Sequence, residues 1–183
     1  MKRMYITFLL LVLVLAMVVP VAGVYAASSQ TIEVNGTVYY NDVDGSLTWE
    51  KMVGRDSPLF GLPSVWMGTI AFDVEFEGSI VGDATSLVDY VLNTNTFANG
   101  GFKSSNLGEM VFGGIIDGEP ASFTALERRQ TRNDEAGTIK VELTITGELG
   151  ENTLRGTLVF ELASTGVQGE YSGEYSGLLH VTP

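Results

Sequence analysis

From Thr31 onward, apolar and polar residues alternate in short runs broken by Gly, Asn and Asp, and no stretch carries the 3.6-residue period of an amphipathic helix. Successive side chains of a strand point to opposite faces, so a period of two marks a strand with one side buried. The pattern is cleanest at 67–77, where Ile70, Phe72, Val74 and Phe76 share one face and Asp73, Glu75 and Glu77 the other. It recurs at 138–146, with Ile139, Val141, Leu143 and Ile145 opposed to Lys140, Glu142, Thr144 and Thr146. Further strands are expected at 31–40, 47–52, 84–93, 107–116, 121–132, 154–164 and 168–181, about nine runs in total. Turns are predicted at Asn41–Gly45, Gly82–Asp83, Asp117–Gly118 and Gly150–Asn152, and loops at 54–64, 94–105 and 133–137. The expected fold is all-β: a single closed antiparallel barrel of about eight strands, because closure removes unpaired sheet edges.

A different pattern precedes the strands. Lys2 and Arg3 stand before an apolar run at 4–19, Pro20 ends the run, and Val24 and Ala26 are small residues suited to a signal peptidase. Residues 1–26 therefore read as a signal helix cleaved before Ala27, and 27–183 as an exported barrel domain, secreted or held in the cell envelope. The alternative is an uncleaved anchor, since the run is long enough to span a bilayer. In that case alone would the chain touch a membrane, through its N-terminal segment.

Composition narrows the chemistry. The chain has 183 residues, 22 acidic, 10 basic, one His and no Cys. Disulfides, thiolate metal sites and a cysteine nucleophile are excluded. Removing 26 residues leaves 157, with 22 acids against 8 bases and a net charge of −14. That charge argues against nucleic acid, whose phosphates need cations, and against attachment to anionic lipid. One His supplies neither a triad nor a zinc site, and His180 reads as a frayed terminal residue. Asn41-Asp42-Val43-Asp44-Gly45 carries alternate oxygen donors but lacks the later ligands of a calcium loop, so a hairpin turn is expected. No cofactor, metal or catalytic residue is assigned. Asn35-Gly36-Thr37 matches the glycosylation acceptor pattern.

Aromatic and charged positions on the strands supply the candidate site. The repeat Glu170-Tyr171-Ser172-Gly173, Glu174-Tyr175-Ser176-Gly177 places both tyrosines and both glycines on one strand face, either as core packing or as an aromatic pocket wall. Alternation also sets Glu127 and Arg129 on one face with Phe123 and Ala125. Paired surface charges are the reading adopted for them, and a buried Glu127 acting as acid or base is the alternative. Trp49, Glu50, Tyr90, Glu127, Tyr171 and Tyr175 are the candidate ligand-binding residues, with Trp66 beside them at a barrel mouth.

Trp49-Glu50 is followed by the run Phe76-Glu77-Gly78-Ser79-Ile80-Val81-Gly82-Asp83, then by Phe112-Gly113-Gly114-Ile115-Ile116-Asp117-Gly118 and Ala121-Ser122-Phe123. Gly147-Glu148-Leu149, Leu154-Arg155-Gly156 and a final Gly- and Tyr-rich strand complete the series. This order of motifs over 48–179 resembles the DUF3224 family, small proteins of unknown function with an allene oxide cyclase-like barrel. The family often carries a His beyond the Ser-Phe pair. Here Ala125-Leu126-Glu127-Arg128 stands in that region. The resemblance implies a calycin-like barrel and, by analogy with cyclase and lipocalin-like barrels, a cavity; the barrel pattern with its interior aromatics points to a small apolar ligand as partner. Two alternatives stand beside this reading: an isomerase or cyclase using Glu50 or Glu127, and a non-catalytic cell-surface interaction protein.

Overall fold

The computed structural model describes residues 28–56, 63–93, 104–131 and 138–183. The loops predicted at 54–64 and 94–105 are shorter than expected, because β2 runs on to Asp56, β3 begins at Pro63 and β5 at Ser104; the rest of them, the loop predicted at 133–137 and the expected signal segment 1–26 lie outside the described residues. Among the described residues the fold is all-β, with nine antiparallel strands and no helix. They are β1 (Gln30–Asp42), β2 (Thr48–Asp56), β3 (Pro63–Gly78), β4 (Ile80–Asn93), β5 (Ser104–Ile116), β6 (Glu119–Thr131), β7 (Ile139–Leu149), β8 (Asn152–Ser164) and β9 (Glu170–Thr182).

Eight of these strands form the barrel wall. The sheet runs β1-β9-β8-β7-β6-β5-β4-β3, and β1 closes it by pairing with β3 from Gly36↔Gly78 to Asp42↔Phe72. The ninth, β2, stands outside the ring. It pairs with the opening half of β3, from Thr48↔Thr69 to Asp56↔Pro63, so β3 is shared end to end between two neighbours. The wall is therefore eight strands, and the run expected at 47–52 is a flap on its rim.

Register carries one interior face around the whole ring. Tyr40 is opposite Val74 and Tyr171, Val74 opposite Ala84, Ala84 opposite Phe112, and Phe112 opposite Phe123. Because the period is two, every residue of that parity points inward. These positions make the core: Val38, Phe76, Ile80, Met110, Leu143, Leu158 and Leu179 are all fully buried. Each such side chain contributes roughly 1.5–3 kcal/mol of burial free energy.

The two ends of the barrel differ in their connections. At one end, called here the turn end, adjacent strands meet through Gly78-Ser79, Asp117-Gly118 and Gly150-Glu151. Asp117 (φ 50°) and Gly118 (φ 86°) both lie in the left-handed region, as a two-residue hairpin turn requires. Neighbouring turns are tied together: Ser79 N–H donates to Asn35 O at 2.9 Å, Asp117 N–H to Ser79 O at 3.0 Å, and Gly150 N–H to Pro120 O at 2.8 Å. At the other end, the mouth, β1 leads through Val43–Leu47 to β2, and β8 through Thr165–Gly169 to β9.

The turn predicted at Gly82–Asp83 is not one. β4 begins at Ile80 and runs straight through, and the chain reverses at Gly78-Ser79. Gly82 is required for another reason. Its φ is 146°, and a Cβ there would lie 2.6 Å from the Gly113 carbonyl oxygen, so its glycine answers to the neighbouring strand. His180 is likewise not frayed. It sits within β9 between Thr31 and Arg155, with Nδ1 3.0 Å from Thr31 Oγ1.

Candidate functional site

The lower half of the interior, toward the turn end, is filled by rings. Phe112 stacks on Phe123 with centroids 4.5 Å apart, and Phe76 meets both Phe112 and Tyr175 edge-on at 5.7 and 5.6 Å. The Tyr175 hydroxyl accepts from Ile80 N–H at 2.8 Å and donates to Ile80 O at 3.3 Å. Burial pushes its phenol above the usual range, and the Ile80 contact offsets part of that. Tyr175 therefore packs the core and latches the start of β4. It stands well below the mouth.

One layer above lies a buried charged cluster. β6 projects Glu127 and Arg129 inward, two residues apart, and both are buried with exposures of 0% and 2%. This corrects the expectation of paired surface charges. Alternation had already put both on the face of Phe123 and Ala125, and that face is the interior. Arg129 Nε donates to Glu127 Oε1 in a buried ion pair. Ser86 of β4 donates to Glu127 Oε2 at 2.5 Å, and Tyr40 of β1 reaches Oε1 at 3.5 Å. Since β6 and β1 face each other across the ring of eight, the Tyr40–Glu127 contact spans the lumen. Burial drives the Tyr40 phenol well above its usual range, and the adjacent Glu127 charge adds to it. Tyr40 stays a neutral donor.

The Arg129 guanidinium is held by faces as well as by charge. Its central carbon lies 4.1 Å from the Phe72 ring centroid and 4.8 Å from that of Tyr40. Nη2 is buried without a hydrogen-bond partner. A second orphan lies toward the mouth. Asp42, at the end of β1 and of the same inward parity, has its Oδ1 buried and unpartnered. Burial raises its carboxyl above 3.8, and the Arg129 charge partly opposes that. Tyr171, half-buried beside them, is raised by burial and by the charge of Asp42.

Around this point the mouth is acidic outside and aromatic within. An open depression of about 600 Å³ is lined by Asp42, Asp44, Asp73, Gly169 and Glu170 among others. Tyr90 packs partly buried against the core. Trp49 and Trp66, from β2 and β3, meet edge-on at 5.3 Å. Of the turn expected at Asn41–Gly45, Asn41 and Asp42 are the last residues of β1, and the reversal itself is Val43–Ser46, closed by Ser46 N–H on Val43 O at 3.0 Å. Among the described residues no group of three or more His, Cys, Asp or Glu is placed to hold a metal ion.

Of the six residues the sequence nominated, Glu127, Tyr171 and Tyr90 line the upper interior, and Trp49 lies half-buried on the flap. Tyr175 belongs to the opposite half. Glu50 is exposed, at a register shift of β2 outside the ring, and takes no part. Sequence reasoning missed Tyr40, Ser86, Phe72, Asp42 and the inward role of Arg129. Parity was the available signal, because each shares the face of its strand's core residues.

Together these features define a class: a small closed antiparallel barrel, filled at one end and charged near the other. No family model matches the chain, and no curated protein sequence matches it. Among solved structures it is similar to a DUF3224 family protein of unknown function from Shewanella oneidensis MR-1. The two share 19% identity over 81% of this chain and 97% of that one, with a TM-score of 0.51. The family resemblance carried by the motifs thus extends to the fold.

Proposed function

We propose that the protein is an exported barrel that binds a small molecule in its mouth, holding a neutral polar head group at Arg129 and Asp42. The observation that carries this is the pair of orphaned polar atoms, Arg129 Nη2 and Asp42 Oδ1. A buried donor or acceptor left unmade costs roughly 1–3 kcal/mol, and a molecule that supplies the missing hydrogen bonds recovers it.

Charge selects the head group. Arg129 is already neutralised by Glu127, while Asp42, Asp44, Asp73 and Glu170 make the approach acidic. An anion is repelled there, and an ammonium that suits Asp42 has only N–H donors, so it leaves Arg129 Nη2 without an acceptor. A neutral group that both accepts and donates, such as a carboxamide, satisfies both. Tyr90, Tyr171 and the Trp49–Trp66 pair suit an apolar body. Rings fill the lower lumen, so the site is shallow. Both Glu127 oxygens are committed to Ser86, Tyr40 and Arg129, which makes this carboxylate an anchor for the guanidinium.

Native mass spectrometry of the protein purified from its exported location tests binding directly. An extra mass released on denaturation supports the reading. Ligand-observed NMR with hexanamide, hexanoate and hexylamine tests the head group. Hexanamide should bind about tenfold or more tighter than the two ions, as expected for a hydrogen bond to a charged group. A bare mass together with no binding by any of the three overturns the proposal.

A further inference from the structure

The outer faces of the strands are not alike. On β1, β7, β8 and β9 the outward residues are mostly Thr, Glu, Ser and Lys, with Lys140 paired to Glu161. On β4, β5 and β6 they include Val81, Leu87, Leu107, Val111, Ile115 and Leu126, which are 43–58% exposed. A contiguous exposed aliphatic face on a barrel wall marks an interaction surface. A groove of about 290 Å³ runs within it, lined by Leu87, Asp89, Leu107, Glu109 and Leu126.

Register shows what fits this face. Reading across β4, β5 and β6, the rows are Asp89–Leu107–Arg128, Leu87–Glu109–Leu126, Thr85–Val111–Thr124, Asp83–Gly113–Ser122 and Val81–Ile115–Pro120. The Leu87 and Thr85 rows carry the same residue on both sides of β5, the first row is antisymmetric in charge, and in the Gly113 row Asp83 stands against Ser122. Turning a second copy by a half-turn about an axis along β5 sets Leu107 on Leu107, Val111 on Val111 and Leu87 on Leu126. The same operation sets Asp89 on the partner subunit's Arg128, and Arg128 on the partner subunit's Asp89. An isologous interface demands that self-complementarity.

We infer that the β4–β5–β6 outer face is a homodimer interface with its two-fold axis along β5. Glu109 meets its own copy on that axis. That like-charge contact is unfavourable, and its diagonal neighbour Arg128 offsets it on each side.

Sedimentation velocity of the full chain over a wide concentration range reads the dimer. Arg128→Asp, which sets two like-charge contacts in place of two ion pairs, should raise its dissociation constant about tenfold. Asp89→Arg with Arg128→Asp should restore it, because the swap is symmetric. The chain has no Cys, which gives a second readout. Leu107→Cys should form an oxidised dimer readily, while Leu178→Cys, equally exposed on β9, should not. A concentration-independent monomer, or equal cross-linking at both positions, overturns the inference.

Discussion

The turn end and the mouth are built on the same alternation, yet they use the interior in opposite ways. At the turn end, short turns hold the strands together and four rings, Phe76, Phe112, Phe123 and Tyr175, fill the space. The one buried hydroxyl there finds both groups of Ile80. Toward the mouth the interior is polar, and its hydrogen bonding is incomplete at Arg129 and Asp42. The difference teaches where each end's stability comes from. Among the described residues, no buried side-chain nitrogen or oxygen of the lower half lacks a hydrogen-bond partner. The upper half keeps a charged pair out of water and leaves two of its groups waiting.

Mutation can break that contrast. The largest losses are expected where either interior is truncated. Glu127→Ala strands the Arg129 guanidinium in the lumen and should cost about 3–5 kcal/mol in urea unfolding. Phe112→Ala should cost a similar amount, about 3–5 kcal/mol, by opening a cavity beneath Phe76 and Phe123. The two separate on rescue. Replacing the charged pair with apolar residues, Glu127→Leu with Arg129→Met, should restore stability, because a buried ion pair seldom outdoes hydrophobic packing of similar volume. A second truncation, Phe123→Ala, should only deepen the Phe112→Ala loss. A double apolar variant as unstable as Glu127→Ala alone would show that the charged cluster also holds the strands in register.

A middle-sized effect belongs to the latch. Tyr175→Phe keeps the ring and removes the hydroxyl, leaving Ile80 N–H and O unpaired at a cost of about 1–3 kcal/mol. Amide hydrogen exchange should quicken at Ile80 and leave the mouth unchanged.

The smallest effect is a pH dependence. Burial raises the Asp42 carboxyl above 3.8 in the folded chain. The folded state therefore holds this proton more tightly than the unfolded state does. The associated stability is fully present below 3.8 and is lost as pH rises through the folded value. Asp42→Asn should match the parent in acid and exceed it slightly in melting temperature at neutral pH. A gap that widens as pH falls would contradict the burial of this carboxyl.

Much of the barrel was legible because one signal repeats. Runs such as Ile70-Ala71-Phe72-Asp73-Val74 alternate so regularly that strand identity and face follow together. The interior parity of Glu127 and Arg129 was legible in the same way, through Phe123 and Ala125. Charge favours the surface and parity the interior, and parity prevails because Tyr40, Ser86 and two aromatic faces arrive from other strands to receive the pair. No local pattern announces those partners. The exclusion of β2 was hidden for a related reason. Its composition is that of a strand, and only the long-range pairing of β1 with β3 leaves it outside. The Gly82 turn failed because glycine answers to two needs, reversal and close approach, and sequence does not separate them.

β2 bonds to β3 along one side only, and among the described residues no strand covers its other side. A cylinder made of backbone offers no seam, but this one carries a flap with an uncovered border at Thr48–Asp56. The N–H and C=O groups on that border are the template on which an extended peptide or a misfolded neighbour would add itself. That border is nine residues long. Glu50 and Lys51, both exposed there, are the side chains that stand guard over it.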